Sequence, residues 1–318
     1  MIGDSPVFLD ALRLIDRIAR YDVPVLIEGE SGTGKELAAR AIHYRGRRRD
    51  RPFVPVNCGA IPDTLIENEL FGHERGAFTD AREPQRGLIS AAHTGTLFLD
   101  EVEALSAKAQ VTLLRFLQDA QYRPLGSSRS EDADTRIISA TNARLQDLAA
   151  HGAFRADLLY RLDIVHVTMP PLRDRVGDPA LLAAHFVAKL SLHFGEPAKA
   201  VSPGTLEWFD QYPWPGNIRE LENLICRSYV LTDGDMIHAA PLGTPRPSDT
   251  AEAPPDLPYA AARAHAIDAF EKRYLEALLT RAHGNVTVAA SLAGKERRTL
   301  GKMLKKHQMD RTRFARGA

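Results

Sequence analysis

The order of apolar and polar positions in the first half of the chain predicts strands that alternate with helices. Apolar residues recur at helical spacing in 35–42 and 110–117. Short apolar runs with the length of buried strands occur at 25–27, 53–57, 96–99, 136–141 and 164–168. Because strands that alternate with helices form a mostly parallel sheet covered by helices, the expected fold class is α/β.

The pattern changes after Pro170 and Pro171. The strands stop there, and residues 178–233 have the spacing of a small helical domain. Residues 240–258 contain several prolines together with Ser, Thr and Asp, a composition typical of linkers, and a compact helical unit is expected over about 259–310. The predicted domains are 1–169, 170–236, 237–258 and 259–318.

The net charge of zero hides an asymmetry along the chain. Residues 261–318 contain thirteen Lys or Arg and five Asp or Glu, so this end carries +8 and the remainder −8. A basic end predicts a polyanion partner. Cys58 and Cys226 show neither metal-ligand spacing nor a disulfide framework, so a reduced cytoplasmic compartment is expected. No stretch approaches ~18 apolar residues, so no membrane partner is expected.

A glycine-rich turn follows the first predicted strand and opens the first predicted helix. Its G-x-x-x-x-G-K pattern in this context is that of a phosphate-binding loop. Backbone N–H groups and the helix N-terminus would cradle the phosphates of ATP, and the lysine would reach the β- and γ-phosphates. The last position holds Glu where most such loops have Ser or Thr to bind Mg²⁺. The expected nucleotide-binding residues are Gly29, Glu30, Ser31, Gly32, Thr33, Gly34, Lys35 and Glu36.

Two acids, Asp100 and Glu101, end the third predicted strand. Asp100 would bind Mg²⁺ directly or through water, and Glu101 would orient and deprotonate the attacking water. Taken alone, adjacent acids would favour a helix start over a catalytic site. Their combination with the phosphate-binding loop favours a site of ATP hydrolysis.

Several segments resemble, in order, the AAA+ domain of sigma-54-dependent transcriptional activators, from Ile2 to about Thr232. They are GESGTGKE at 29–36, VNC at 56–58, ELFGHE at 69–74, GTLFLDE at 95–101, FRADLLYRL at 154–162, PPLRDR at 170–175 and YPWPGNIRELEN at 212–223. The resemblance implies an AAA+ P-loop ATPase with a helical lid, cofactors ATP and Mg²⁺, and a hexamer in the active state.

The resemblance also implies roles at matched positions. Asn57 looks like the switch residue that holds Glu101 until a partner is contacted. Arg155 and Arg161 match the arginine fingers, which reach the nucleotide of a neighbouring subunit, where a guanidinium suits the charge on a transferring phosphoryl group. The residues that match the nucleotide sensors are Thr141, Asn142 and Arg219.

Residues 76–81 resemble the GAFTGA loop with which the family contacts sigma-54. Phe78 and Thr79, which are expected to touch the sigma-54 RNA polymerase holoenzyme, are retained. Asp80 replaces the second glycine, which adds a negative charge and disfavours positive φ. The residues implied at this contact are Gly76, Ala77, Phe78, Thr79, Asp80 and Ala81.

The end of the chain has the spacing of three helices, at about 270–280, 288–292 and 296–307, with Gly294 in a turn. Either Asn285 or Thr287 is expected to cap the second helix. Segments 284–294 and 299–307 resemble the Fis-type helix-turn-helix of the same family, which implies binding to enhancer DNA. The residues expected to face the major groove or its phosphates are Lys295, Arg297, Arg298, Thr299, Lys302, Lys305 and Lys306.

The implied function is ATP-driven remodelling of the sigma-54 closed promoter complex by an enhancer-bound ring. Two alternatives stay open. Asp80 favours a DNA-binding regulator, such as a repressor, that has lost sigma-54 contact, although the retained catalytic residues argue against it. The other alternative is an AAA+ remodeller of a different protein. Because the sequence begins almost at the ATPase domain, control by a separate partner or a trimmed sensory domain is expected.

Overall fold

The computed structural model describes residues 1–78, 81–239, 285–295, 297–307 and 309, together with Ile267, Asp268, Glu271, Tyr274, Leu275, Leu278, Leu279 and Ala282. The chain divides into two compact units, Met1–Ala240 and Pro241–Ala318. Among the helices in these described ranges, none has both the length and the apolar character that crossing a bilayer requires.

The strands of the first unit confirm the predicted α/β class. They are β1 (Val25–Glu28), β2 (Phe53–Asn57), β3 (Gly72–His73), β4 (Gln85–Arg86), β5 (Thr96–Asp100), β6 (Gln121–Tyr122), β7 (Glu131–Asp132), β8 (Arg136–Thr141), β9 (Val165–Thr168), β10 (Ala200–Val201) and β11 (Met236–Ile237). Five of them form one parallel sheet in the order β2-β5-β8-β1-β9. This sheet comprises the five strands expected from the sequence.

Helices cover both faces of the sheet. The α-helices of the first unit are α1 (Pro6–Ile18), α2 (Lys35–Tyr44), α3 (Asp63–Phe71), α4 (Leu88–Ala91), α5 (Ala107–Asp119), α6 (Leu145–Ala150), α7 (Ala156–Leu162), α8 (Asp178–Phe194), α9 (Pro203–Phe209) and α10 (Asn217–Val230). Within β5, Leu97 and Leu99 join one buried layer and Phe98 joins the other. The strand is therefore buried on both faces, as parallel strands usually are.

Helix α1 is not among the elements predicted from the sequence. Pro6 stands at its first turn, where the missing N–H costs nothing. Phe8, Ala11, Ile15 and Ile18 recur every three or four residues and are all buried. This apolar stripe packs the helix against α2 and the sheet.

The helical region after Pro171 differs from expectation in one detail. Helices α8, α9 and α10 surround the fully buried Trp214. The prediction that strands stop there is wrong, because β10 and β11 pair in parallel, with Ala200 opposite Met236. Two-residue strands are too short to show an alternating pattern, so the sequence gives no signal for them.

The second unit contains α11 (Val286–Leu292) and α12 (Arg297–Lys306). Asn285 caps the first of these helices, since its side-chain oxygen accepts from the amides of Thr287 and Val288. Gly294 lies in the turn with a φ of 58°, which favours glycine. The linker predicted at 240–258 and most of the helix predicted at 270–280 lie outside the described residues.

A buried ion pair holds the first residues of the chain against the helical region after Pro171, which we call the lid. Arg175 and Asp178 are each 1% exposed, and Nε of Arg175 donates to Asp178 at 2.8 Å. The same carboxylate accepts from the amides of Asp4 and Ser5 and from the Ser5 hydroxyl. Burial by itself raises the pKa of Asp178, but these donors outweigh it and hold the pKa below its ordinary value.

We predict that Asp178→Asn lowers the free energy of unfolding by about 3 kcal/mol, because a buried guanidinium loses its counter-charge. Since the pKa of Asp178 is lowered in the folded state, its contribution is complete at neutral pH and is lost as the pH falls below about 4. Urea denaturation at pH 7 and pH 3 measures both effects. The exposed Asp174→Asn is the control, and equal stabilities of the two variants at pH 7 would contradict the prediction.

Candidate functional site

The register of the sheet brings the predicted catalytic residues to one edge. Asn57 at the end of β2 is the parallel partner of Asp100 at the end of β5. Glu28, the last residue of β1, pairs with Thr141 at the end of β8. The glycine-rich loop follows Glu28 directly, so the loop, the acids and Thr141 share the carboxyl edge of the sheet, where α/β folds bind ligands.

The glycine-rich loop wraps around the side chain of Lys35. Its Nζ donates to the carbonyl of Gly29 at 2.7 Å and to that of Glu30 at 3.2 Å. Gly32 and Gly34 have φ of 80° and 94°, conformations that few other residues adopt. Lys35 then begins α2, so the positive end of the helix and the ammonium both face the loop, as anion binding requires.

The other polar side chains of this loop point to different partners. The Thr33 hydroxyl donates to the carbonyl of Glu30 within the loop. Glu36, where most such loops have a hydroxyl, lies on the first turn of α2 and pairs with Arg40 one turn later. Its carboxylate therefore pairs on the helix surface, and a bound Mg²⁺ would take its protein ligands from other groups.

Opposite charges in the site perturb each other. Burial lowers the pKa of Lys35, and the carboxylates of Asp100, Glu103 and Glu101 oppose that shift. Burial likewise raises the pKa of Asp100, which the charge of Lys35 opposes. Burial and the same acids raise the pKa of Cys58 to about 12, so this thiol stays protonated. Acids facing one lysine form a polarised edge suited to a cation and phosphates.

The carboxylates at this edge fit a magnesium ion. Asp100 is half-buried, and its Oδ1 accepts from the amide of Glu101 at 3.0 Å. Glu103 accepts from the amide of Asn142 through Oε1, and its Oε2 is buried without a hydrogen-bond partner in the described part of the chain. A buried carboxylate oxygen without a donor favours a cation or water beside it, and Mg²⁺ prefers such oxygen ligands.

Glu101 and Asn57 approach each other above Gly59. Glu101 has a left-handed φ of 54°, an uncommon conformation for a residue with a side chain. A Cβ built on Gly59 would lie 2.5 Å from Oε2 of Glu101 and 3.4 Å from Oδ1 of Asn57. That same Asn57 oxygen accepts from the amide of Ala60. Only a residue without a side chain therefore leaves room for the two groups to sit together.

The lid is hydrogen-bonded to the glycine-rich loop. Asn217 is fully buried with φ of 50°, and its side-chain nitrogen donates to the carboxylate of Glu30 and to the carbonyl of Ser31. The amide of Ile218 donates to the carbonyl of Gly32. Nη1 of Arg219, a predicted sensor residue, lies 3.1 Å from the Ser31 hydroxyl. The lid therefore responds directly to the conformation of this loop.

Arg173 adds to these hydrogen bonds between lid and loop, which we call the latch. Its guanidinium makes two hydrogen bonds to the carboxylate of Glu30, at 2.6 and 3.0 Å. These bonds, with the one from Asn217, lower the pKa of Glu30. Glu30 is thus occupied by lid residues, a role that the motif match alone does not indicate.

The other residues predicted as sensors and arginine fingers lie at the end of β8 and along α7. Thr141 exchanges hydrogen bonds with both backbone groups of Ala143. Arg155 immediately precedes α7 and Arg161 lies in its last turn, and both are exposed. Arg155 pairs with Asp157. The backbone amide of Arg155 is anchored by Oε1 of Gln110, a buried residue of α5. Exposed arginines on a fixed base are suited to reach another molecule.

The loop at 76–81 closes on itself and presents an aromatic ring. The amide of Gly76 donates to the carbonyl of Ala81 at 2.8 Å, and Gly76 has φ of 81°. Phe78 is 44% exposed, although its ring lies against His73, with centroids 4.9 Å apart. Thr79 and Asp80 lie outside the described residues. The described part of the loop thus offers an exposed apolar contact.

The predicted DNA-facing residues lie mostly on one side of α12. Leu300 and Leu304, one turn apart, are buried in the core of the second unit. Lys306 differs from the others because its ammonium pairs with Glu271 at 2.6 Å and lies 3.5 Å from Asp268. All seven members of the set are exposed: Lys295, Arg297, Arg298, Thr299, Lys302, Lys305 and Lys306. The helix therefore presents a basic outer face.

Some functional contacts were not predicted from the sequence. Asn217 and Arg173 lie inside quoted motifs, but their partners on the loop are distant in sequence. Gly59, Glu103 and Gln110 act through close approach or buried hydrogen bonds, which leave no periodic or charge pattern. The close approach of Gly59 to Glu101 becomes visible only once β2 and β5 are in register.

Fold and site together define the class of this protein: an AAA+ P-loop ATPase with a helical lid, joined on one chain to a helix-turn-helix unit. Residues 1–168 match the family model of the sigma-54 interaction domain, 173–255 that of the AAA+ ATPase lid domain, and 266–307 that of the Fis family of bacterial regulatory proteins. The chain belongs to the sigma-54-dependent transcriptional activators, which confirms the resemblance seen in the sequence.

Individual relatives agree with this assignment. The chain is 42% identical over 314 residues to the transcriptional regulatory protein GlrR of Escherichia coli K12, covering 99% of this chain and 69% of GlrR. It is 41% identical over 314 residues to the nitrogen fixation protein VnfA of Azotobacter vinelandii, covering 98% of this chain and 59% of VnfA. NtrX from Brucella abortus, solved in complex with ATP, aligns with a TM-score of 0.70 and 35% identity over 96% of this chain and 69% of NtrX.

We predict that Gly59→Ala slows ATP hydrolysis about 100-fold while ATP binding is retained. The added methyl group meets the flexible end of Glu101, so the carboxylate moves away and the backbone does not. Single-turnover hydrolysis and nucleotide titration measure the two effects. Gly204→Ala, which meets nothing within 4 Å, is the matched control. Full hydrolysis by Gly59→Ala would remove Glu101 from its catalytic role.

We also predict that Asn217→Gly lowers kcat/KM for ATP about tenfold, since glycine keeps the positive φ but removes the hydrogen bonds to Glu30, Ser31 and the amide of Leu172. Steady-state ATPase assays measure the change. Asn223→Gly, at an exposed position of the same helix, controls for glycine in α10. Equal kcat/KM in the two variants would show that the latch has no part in nucleotide use.

Proposed function

We propose that the chain forms a hexameric ring at enhancer DNA and uses ATP hydrolysis to drive the Phe78 loop against sigma-54, which remodels the closed promoter complex. The observation that supports this most directly is the exposed phenylalanine on a self-closed loop in a chain that also holds a complete set of nucleotide-site residues. Because DNA and RNA polymerase are the proposed partners, the proposed place of action is the bacterial cytoplasm.

The proposed chemistry is divided among the residues of the carboxyl edge. Asp100 would hold Mg²⁺, with water completing its coordination, and the ion would neutralise charge on the phosphates. Lys35 would bind the β- and γ-phosphates in place of the loop carbonyls. Glu101 would orient the water and take its proton. Asn57 would hold Glu101 until sigma-54 is engaged, and Thr141 with Asn142 would detect the γ-phosphate.

The arginine fingers are proposed to act between subunits. Arg155 and Arg161 would stabilise the charge that develops on the phosphoryl group bound by a neighbour, and Arg219 would close the lid over the nucleotide. Support comes from the exposure of both finger residues and from the anchoring of Arg155 by Gln110. Movement of the lid on hydrolysis would pass to the loop through the shared α/β core.

A mixing experiment tests action between subunits. Arg155→Ala keeps its own Glu101, whereas Glu101→Gln keeps its own finger, and each variant alone is expected to lose at least 99% of its turnover. Rings assembled from both variants regain measurable ATPase activity if a finger completes the neighbouring site. No recovery at any mixing ratio, with ring assembly confirmed by light scattering, would place Arg155 on its own subunit's nucleotide.

The second test concerns the loop. Thr79→Ala is expected to keep ATPase activity and to lose open-complex formation with sigma-54 holoenzyme, because the proposed contact is removed and the nucleotide site is untouched. Thr64→Ala, on the surface of α3, is the control. Open-complex formation by Thr79→Ala at the control level would show that the loop is not the sigma-54 contact.

One feature supports a second candidate function. Asp80 adds a negative charge where the family has glycine. This favours a chain that binds DNA and regulates transcription, for example as a repressor, without engaging sigma-54. The open-complex assay with unmodified protein separates the two: ATP turnover with no open complex in any nucleotide state favours the repressor alternative, and open-complex formation excludes it.

A further inference from the structure

The first unit carries a concentration of arginines that its ATPase chemistry does not use. Five of the seven residues in 45–51 are arginine, just before β2. Three more stand at positions 13, 17 and 20 along α1 and its C-terminus, with the helical spacing that places them on neighbouring turns. We call the eight residues the arginine patch: Arg13, Arg17, Arg20, Arg45, Arg47, Arg48, Arg49 and Arg51.

Gly46 holds the two arginine-rich segments together. It is buried, and a Cβ at this position would lie 2.9 Å from the carbonyl oxygens of both Ala19 and Ile42. The turn after α2 is therefore pressed against the end of α1. As a result, Arg20, Arg45, Arg47 and Arg49 line one open concavity of about 500 Å³, together with Gly46 and Asp50.

Only part of this positive charge is neutralised within the protein. Arg45 pairs with Asp16, Arg49 with Asp50, Arg13 with Asp10, and Arg48 with both Asp22 and Asp134. Within the described ranges, four patch members have no ion pair and are exposed: Arg17, Arg20, Arg47 and Arg51. A fold gains little from exposed like charges held side by side, so their arrangement fits an anionic partner.

The patch lies away from the nucleotide site. Arg20 precedes the start of β1, and Arg51 precedes the start of β2. Strands β1 and β2 run parallel in the same sheet, and the glycine-rich loop follows the opposite, carboxyl end of β1. Any ligand of the patch therefore occupies a different edge of the sheet from ATP.

We propose that the arginine patch is a second DNA contact, which binds the phosphate backbone of double-stranded DNA without reading its sequence. Duplex DNA carries one charge per about 1.7 Å of its axis, so each guanidinium that meets a phosphate releases a condensed counterion. Isolated carboxylates on a protein surface offer no such release, and exposed ion pairs with them contribute little. Separate, exposed arginines therefore favour DNA over an acidic protein.

The position of the patch on the same chain as the helix-turn-helix makes weak affinity sufficient. Once the second unit holds DNA, a tethered contact meets that DNA at an effective concentration that can reach the millimolar range. A contact made only to phosphates then adds affinity and salt dependence but no sequence preference. This inference concerns the first unit's own surface and does not require sigma-54 engagement.

The test uses the full chain and a duplex without an enhancer site, titrated by fluorescence anisotropy over a range of salt concentrations. Arg47→Gln is expected to reduce the slope of log affinity against log salt by about one, and Arg17→Gln/Arg20→Gln/Arg47→Gln by about three. Arg115→Gln removes one exposed charge from α5 and is the matched control, with an unchanged slope expected. All three variants are expected to keep wild-type ATPase activity.

Two results would overturn the inference. One is a slope for the triple variant equal to that of Arg115→Gln. The other is retained DNA binding with lost affinity for the polymerase holoenzyme, which would assign the patch to a protein partner. A further variant, Arg297→Ala/Arg298→Ala, tests the helix-turn-helix assignment separately. It leaves the arginine patch intact and is expected to lose site-specific binding to enhancer DNA.

Discussion

The in-register pairing of the parallel strands is the constraint on which the site depends. Because Asn57 pairs with Asp100 and Glu28 with Thr141, residues far apart in sequence end at one edge. Burial shifts the pKa values of Lys35 and Asp100 toward their neutral forms, and the charge of each residue opposes the shift of the other. A slip of one residue would turn each strand's side chains to the opposite face and separate this pair.

The second level of organisation is the latch between lid and loop. Glu30 belongs to the phosphate-binding loop, yet its carboxylate is held by Arg173 and Asn217 of the lid segment. Movement of the loop therefore changes contacts with the lid at once, without an intervening layer. Asn217 also holds the amide of Leu172, so its left-handed backbone fixes the entrance to α10 and the start of the lid together.

The five strands of the main sheet, helices α2, α5, α8 and α10, and the phosphate-binding loop could be predicted because each has a local signal: an apolar run, helical spacing, or glycines before a lysine. Helix α11 and the cap at Asn285 follow from the same kind of signal. Gly59, Asn217 and the β10–β11 pair could not, since each depends on what the fold brings beside it. The roles of Lys35, Asp100 and Glu101 were inferred from the motifs, and those of Asn57, the finger arginines and the sensor residues from the resemblance. The geometry adds the contacts through which these roles can be tested.

A path that follows the chain and then two side-chain contacts leads from the predicted catalytic edge to the exposed loop. Asn57 caps the turn at Cys58–Ala60, which leads into α3. Within α3, Asn68 lies 2.6 Å from Nδ1 of the buried His73, whose ring in turn contacts Phe78. A shift of Asn57 would therefore pass along the chain into α3, and from Asn68 through the packed ring of His73 to Phe78. Packed routes of this kind transmit discrete rearrangements, because close-packed interiors do not deform continuously.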